Sequence, residues 1–515
     1  MKLEEMVGQQ LMIGIPGDAL TPETIQLFRD THAGGLIIFR PNFKSAEDFC
    51  RLIAGLETAL GRRLLVAVDH EGGRVIHLAE GITVFPDNLA LGQTANEDFA
   101  RRQGEIEACE LRRLGIDLNL APTVDVLTEN FSPNIGIRSY GHNAKLVSRL
   151  AVARIQGMQS CGLSACAKHF PGQGHSSIDA HLGLPVLKSP LKEMREKHFL
   201  PFAGAIEAGV DAIMSSHPVY PLLDPAKIPA TFSDKIIRGL LRDELGFRGV
   251  ILSDDLEMGA LRNLGTIAEA AVRAVHAGHD MVLICHDHNA AREAYTKLLK
   301  AYQSGDLEIA GLELSIRRIQ QLKQKRKNRF EGGIPRPETG GETLARQIAR
   351  VGIKRDFENR IVARKTEAGL SVIFPRLSEL KDRIFMEPEM CDEARWIRKV
   401  VEGVGLNVRQ VCVVGLEPTG DELEQTRQMI ENSPFTLYFC YDAHLYQGQK
   451  RILELLQNQI ASGADGAVVF LRDPYDHELL SENLLFIDAF GFRICQLQAA
   501  LEALFLPSFS LKSKT

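Results

Sequence analysis

The sequence predicts an α/β protein: a (β/α)8 barrel of the TIM type followed by a smaller α/β domain with an open sheet. Three observations predict it. The chain has 515 residues, more than one ordinary core holds and enough for a large barrel plus a second unit. Eight short apolar runs alternate with helix-compatible stretches through the first 330 residues, the pattern that builds a parallel sheet. After a stretch rich in Gly, Pro and charge, shorter apolar runs and helical stretches alternate again.

In chain order the eight runs are 10–14, 35–39, 64–68, 116–120, 164–167, 211–214, 249–252 and 281–284. Each is short, apolar and bounded by turn residues, as a buried strand is. Helical segments at 46–60, 97–114, 144–161, 193–208 and 267–277 lie between them, and a Lys- and Arg-rich helix at 312–327 closes the barrel. The expected division is a barrel over 1–330, a linker over 331–365 and a second domain over 366–515. Ahead of that second domain 344–350 reads as helical, and strand-like runs follow at 370–374, 411–414, 435–440 and 466–470. It contains no glycine fingerprint and no phosphate loop.

Charge and cysteine content exclude several classes. The net charge of −6 is evenly spread with no basic stripe, so neither nucleic acid nor an anionic membrane is an expected partner. A small neutral or weakly charged ligand fits better. Acidic residues stand where a secretory signal needs a basic start, and no run approaches the ~18 apolar residues of a membrane span. The nine cysteines are odd in number and scattered, which suits reduced thiols in a cytoplasmic protein.

In a barrel of this kind chemistry sits where strands end at their C-terminal side. Those ends are polar here: Arg40, Asp69, 122–125, Lys168 and His169, 215–217, Asp254 and Asp255, His286 and Asp287. The densest stretch is 168–185, read as a loop because two glycines, a proline and two serines interrupt it within 171–177. It carries Lys168, His169, His175, Asp179 and His181. In an Asp-x-His pair the carboxylate fixes the imidazole tautomer and leaves the other nitrogen to exchange a proton. That makes His181 an acid/base candidate with Asp179 as its partner. The spacing of residues 169, 175 and 181 is not that of a helical zinc site, and no CxxC accompanies them, so neither a metal nor another cofactor is expected.

A carboxylate nucleophile complements such an acid, and Asp254 at the end of the seventh run is the candidate. Its neighbour Asp255 faces another way and suits a capping role. Asp69, in 69–75, offers oxygens to ligand hydroxyls, with Glu71 and Arg74 expected to pair with each other. Arg138 has a donor fork that suits sugar oxygens, and equally the place of a surface residue in a long loop.

Taken together, 69–75, 115–125, 135–140, 168–185, 214–220, 229–233 and 253–258 resemble the β-N-acetylglucosaminidases of glycoside hydrolase family 3, the cytoplasmic enzymes of peptidoglycan recycling among them. The second domain resembles the C-terminal α/β domain of longer members, with 471–476 and 489–492 as the nearest echoes. The resemblance implies Asp254 as nucleophile, His181 as acid/base, Asp179 as its partner, and Asp69, Arg138, Lys168 and His169 as binders of N-acetylglucosamine. It also implies a covalent glycosyl-enzyme and a small carbohydrate substrate. Four positions depart from the pattern: His70 for Gln, Gln173 for His, Ala180 for Ser, and His77 where an Arg contacts the sugar. A β-glucosidase, a phosphorylase and an inactive sugar-binding homologue are the competing readings.

Overall fold

The computed structural model describes residues 1–129, 132–176, 183–328, 340–355, 368–381, 384, 386, 388–480 and 484–505. Eight parallel strands close into a barrel in chain order: β1 Leu11–Ile13, β2 Gly35–Ile38, β3 Leu65–Val68, β4 Leu118–Asn119, β5 Ser164–Phe170, β6 Ala212–Ser215, β7 Val250–Asp255 and β8 Met281–Ile284. All eight expected runs are strands. Through β6 and in β8 every strand residue is buried, because the barrel interior takes one face and the helical ring the other.

Polar residues set the helices around it. Asn96 and Asn143 accept from the second and third backbone N–H groups of Glu97–Arg113 and Ala144–Ser160, and Thr266 with Glu269 forms a reciprocal cap on Ile267–Ala277. The helices Glu97–Arg113 and Ala144–Ser160 touch backbone to backbone at two glycines. A Cβ on Gly104 would stand 2.4 Å from Arg154 O, and one on Gly157 2.1 Å from Arg101 O. That closeness buries an Arg154–Glu107 pair at 2.8 Å between them.

Strands β5 and β7 are longer than the sequence implied, and both are irregular at their C-terminal ends. Lys168, His169 and Phe170, expected to open a loop, are strand residues. Lys168 pairs with Met214 and Phe170 with Ser215, leaving His169 as an extra residue against β6. On β7, Leu252 pairs with Met281 and Asp255 with Leu283, so three steps on one strand meet two on the other. These are bulges, which re-aim the side chains beside them.

The second sheet has the order β11-β10-β12-β13-β14-β9. Its strands are β9 Lys354–Arg355, β10 Leu370–Pro375, β11 Val408–Val414, β12 Thr436–Cys440, β13 Gly466–Phe470 and β14 Leu485–Asp488. All pair in parallel except β9, which runs antiparallel to β14. Apolar side chains cover both faces. Within the stretch expected as a linker, the helix expected at 344–350 is present and is longer than that. Gly341–Gly352 is a helix that buries Leu344, Ala345, Ile348 and Ala349 along one side, and β9 follows it. The compact unit built on this sheet also takes in Gly72–Val75 and Val84–Ala95, the remainder of 1–341 forming the other unit. The nine cysteines are free thiols. Among the described residues no helix is long and apolar enough to cross a membrane.

Candidate active site

Strands β3 and β5 bring four charges together at the C-terminal end of the barrel. Lys168 Nζ lies 2.6 Å from Asp69 Oδ1 and 2.6 Å from Glu71 Oε1. Arg138, at the end of the short turn Gly136–Arg138, reaches the same carboxylate with a two-pronged fork, Nη2 to Glu71 Oε1 at 2.7 Å and Nε to Oε2 at 2.9 Å. The Glu71 and Lys168 side chains are each 1 % exposed, whereas Asp69 is 28 % exposed. Asp69 is therefore the member that faces outward.

This corrects one expectation: Glu71 pairs with Arg138 and Lys168, not with Arg74. The partners lie 67 and 97 positions away, beyond what local sequence can show. Arg138 is accordingly no surface arginine. Burial alone would raise the Glu71 carboxyl, but Arg138 and Lys168 outweigh it and hold Glu71 well below its ordinary 4.5. Burial likewise disfavours the Lys168 ammonium, and Asp69 with Glu71 more than restores it. Arg154 Nη2 donates to Glu71 O at 2.7 Å, so the buried pair between the outer helices also fixes this backbone.

His169, the extra residue of the β5 bulge, is held by Asp125. Its backbone N–H and Nδ1 donate to Asp125 Oδ2 at 3.2 and 2.8 Å, and Gln173 N donates to Oδ1 at 2.7 Å. Its Nε2 faces Arg138 Nη2 at 3.4 Å. Asp125 is fully buried and belonged only to the undifferentiated 122–125 group in the sequence reading. His77 is half-buried, with its ring 5.2 Å edge-on from Phe39. Burial pushes it below its ordinary 6.5, against the pull of Asp69, so at neutral pH it is an uncharged donor and acceptor.

At the end of β7, Asp254 and Asp255 are neighbours with opposite properties. Asp254 is half-buried, and among the described residues its side chain accepts one hydrogen bond, from Asp255 N at 2.9 Å. Burial raises its carboxyl, but His169, His217, that N–H and Lys168 together bring it below the ordinary 3.8. Asp255 instead accepts from Glu257 N at 3.1 Å, the local capping role expected of it. Burial, then Glu257 and Asp254, push it up to about 7. One carboxylate is kept charged with lone pairs to spare. The other is occupied and close to neutral.

The expected dyad, Asp179 and His181, lies outside the described residues, as does Ala180. His175, given no role by the sequence, packs its ring 4.4 Å from that of His198. Sequence reasoning missed Glu71 as the hub of the cluster and gave no role to His217, a buried residue two positions beyond β6. The one available signal for the latter was its place in the polar 215–217 strand end.

A bulged strand presenting an ionised carboxylate opposite an ordered Lys–Arg–Asp–Glu cluster suits a small polyhydroxylated substrate. The comparisons with known proteins agree. The model of the glycosyl hydrolase family 3 N terminal domain matches residues 2–322. A beta-hexosaminidase of Nitrosomonas eutropha is 39% identical over 303 residues, covering 58% of this chain and 86% of the relative. The solved glycoside hydrolase family 3 beta-N-acetylglucosaminidase from Paenibacillus sp. str. FPU-7 superposes with a TM-score of 0.90 at 31% identity, over 98% of this chain and 96% of that one. NagZ from Neisseria gonorrhoeae, solved with N-trifluoroacetyl-D-glucosamine, matches 62% of this chain and 96% of its own at 34% identity and a TM-score of 0.51. The chain belongs to glycosyl hydrolase family 3 and is a glycoside hydrolase.

Proposed function

We propose that the protein is a retaining exo-β-N-acetylglucosaminidase. Asp254 attacks the anomeric carbon of a terminal β-linked N-acetylglucosamine. The leaving oxygen takes a proton from His181, which Asp179 orients. Water then attacks the same carbon, giving a proton back to His181, and the carbon–oxygen bond to Asp254 breaks with its electron pair returning to the carboxylate. Two inversions retain the β configuration. Asp69 accepts from sugar hydroxyls, Arg138, Lys168 and His169 supply donors around it, and His77 stands where the family's arginine contacts the sugar.

The observation that carries this reading is Asp254: an ionised, half-buried carboxylate with unengaged lone pairs, beside cations already committed to other anions. The relatives named beta-hexosaminidase and beta-N-acetylglucosaminidase support the sugar. The resemblance extends the reading to muropeptide fragments in the cytoplasm as natural substrates. The test is turnover of aryl N-acetyl-β-glucosaminide and aryl β-glucoside, with and without phosphate. N-acetylglucosamine as product from the first substrate alone is expected. Equal use of the plain glucoside, or a sugar 1-phosphate product, contradicts the proposal. His181→Ala is expected to lower turnover by about 100- to 10,000-fold.

A further inference from the structure

Asp125 links two parts of the proposed chemistry through one buried carboxylate. Residues 121–124 continue beyond β4 alongside β5. Cys166 N donates to Ala121 O at 2.9 Å, Lys168 N to Pro122 O at 3.2 Å and Val124 N to Lys168 O at 2.7 Å. That pairing carries Asp125 up to His169, and Ser139 Oγ fixes its backbone by donating to Asp125 O at 2.6 Å. The side chain is fully buried and meets three partners. His169 N and Nδ1 reach Oδ2 at 3.2 and 2.8 Å, and Gln173 N reaches Oδ1 at 2.7 Å. Two of the three are backbone N–H groups, which only donate, and one of them sits on each oxygen. An ionised carboxylate accepts on both oxygens. An amide of the same shape accepts on one arm and sets an NH2 group against the other N–H.

We propose that Asp125 is a positioning residue for both sugar binding and proton transfer: its Oδ2 sets the His169 imidazole, and its Oδ1 sets the point at which the chain leaves β5 toward Asp179 and His181. The inference rests on the reading of His169 as a sugar binder and of His181 as the acid/base. The described part of that stretch is closely held. Gly172 N donates to His169 O at 2.8 Å, Tyr220 Oη to Gly172 O at 2.9 Å and Ser176 N to Gln173 O at 3.0 Å. Gly172 has a φ of 111°, and a Cβ there would stand 2.9 Å from His198 Cβ. A Cβ on Gly174 would stand 2.1 Å from Val126 O. Residues 169–176 therefore have little room to shift, and Asp179 follows a few positions later. Because Asp125 grips residue 173 through its backbone N–H, the Gln that stands there in place of the family's His leaves this hold intact. Loss of the Oδ1 contact acts on the origin of the acid/base stretch, and loss of the Oδ2 contact acts on the sugar side.

The experiment compares kcat/KM for two aryl N-acetyl-β-glucosaminides, one releasing phenol and one releasing dinitrophenol. The proteins are the unmutated chain, Asp125→Asn, His169→Ala, Tyr220→Phe and His181→Ala. Dinitrophenolate departs without a proton, so a defect in proton transfer falls on the phenyl substrate and a defect in sugar binding falls on both. His169→Ala is expected to lower both by a similar factor. Asp125→Asn is expected to lower both, and the phenyl substrate by about tenfold more. Tyr220→Phe removes the hydroxyl that holds Gly172 O and is expected to show the same bias to a smaller degree. A folded Asp125→Asn, checked by circular dichroism, that loses both substrates equally or loses neither overturns the inference. So does an equal bias in His169→Ala, which would trace the effect to the imidazole. If Asp125→Asn does not fold, Tyr220→Phe decides, and the absence of bias there overturns the inference. His181→Ala is the control. No bias in that variant refutes the acid/base reading and the inference with it, whereas bias there and none in Asp125→Asn refutes the role of Asp125 alone.

Discussion

The ends of β5 and β7 serve the same face of one barrel, and both are bulged, yet they are wired in opposite ways. At β5 every charge has a counter-charge. Lys168 contacts two carboxylates at 2.6 Å, Glu71 takes the Arg138 fork, and His169 is bound by Asp125. At β7 the half-buried Asp254 has a single hydrogen bond among the described residues, from a backbone N–H. A wall that recognises a substrate benefits from donors and acceptors locked in place, because none of their order has to be acquired on binding. A group that must form and break a bond needs its lone pairs available. The proposed binding role of the β5 end and the proposed bond-forming role of Asp254 are consistent with this difference in wiring.

Substitutions can break this contrast from either side. The largest effect is expected at β7: Asp254→Asn should reduce turnover of an aryl N-acetyl-β-glucosaminide to background while leaving the melting temperature unchanged or higher, since a charge half-buried with few partners contributes little to stability. Turnover assays and calorimetry on one preparation check both halves. Next comes Glu71→Gln, which removes the carboxylate that the Arg138 fork grips and leaves Lys168 with Asp69 of its two carboxylates, and should cost about 3–5 kcal/mol in denaturant unfolding. Arg138→Lys keeps the charge but loses the two-pronged fork, so a smaller loss of about 1.5–3 kcal/mol and a raised KM are expected.

Two pH effects are smaller and opposite in sign. Glu71 is held below its ordinary 4.5, so its contribution to stability is complete above that pH and is lost as pH falls toward its lowered folded value. Asp255 is raised from 3.8 to about 7. Between those values the folded protein binds more protons than the unfolded chain, and this residue's contribution declines as pH rises through the window. Asp255→Asn should flatten stability between pH 4 and 7, and Glu71→Gln should weaken the acid-side loss. Unfolding midpoints across pH 3–8 separate the two.

Much of the fold was legible in the sequence because a parallel barrel buries its strands on both faces, and continuous apolar runs such as 35–39 and 64–68 carry that signal directly. The second sheet was less so. The run 484–487 that forms most of β14 follows a polar stretch and lacks a strong boundary, and the two-residue β9 has no pattern to detect. The helix Gly341–Gly352 was legible at 344–350, inside the stretch 331–365 read as a linker. At the site, Asp254 and the charged strand ends were visible because strand position alone points to them. The bulges at His169 and before Asp255 were not, since they arise from pairing with β6 and β8. Nor was the Glu71 hub, whose partners come from distant turns and strands.

The division of labour between the two strand ends stands or falls on whether Asp254 bonds to the sugar. The most direct measurement is peptide mass spectrometry of protein quenched during turnover of a slow, fluorine-substituted N-acetylglucosaminide. A glycosyl adduct on the peptide that contains Asp254, absent from Asp254→Asn, is the predicted result. An adduct on another residue, or full turnover with no adduct on any peptide, would contradict it.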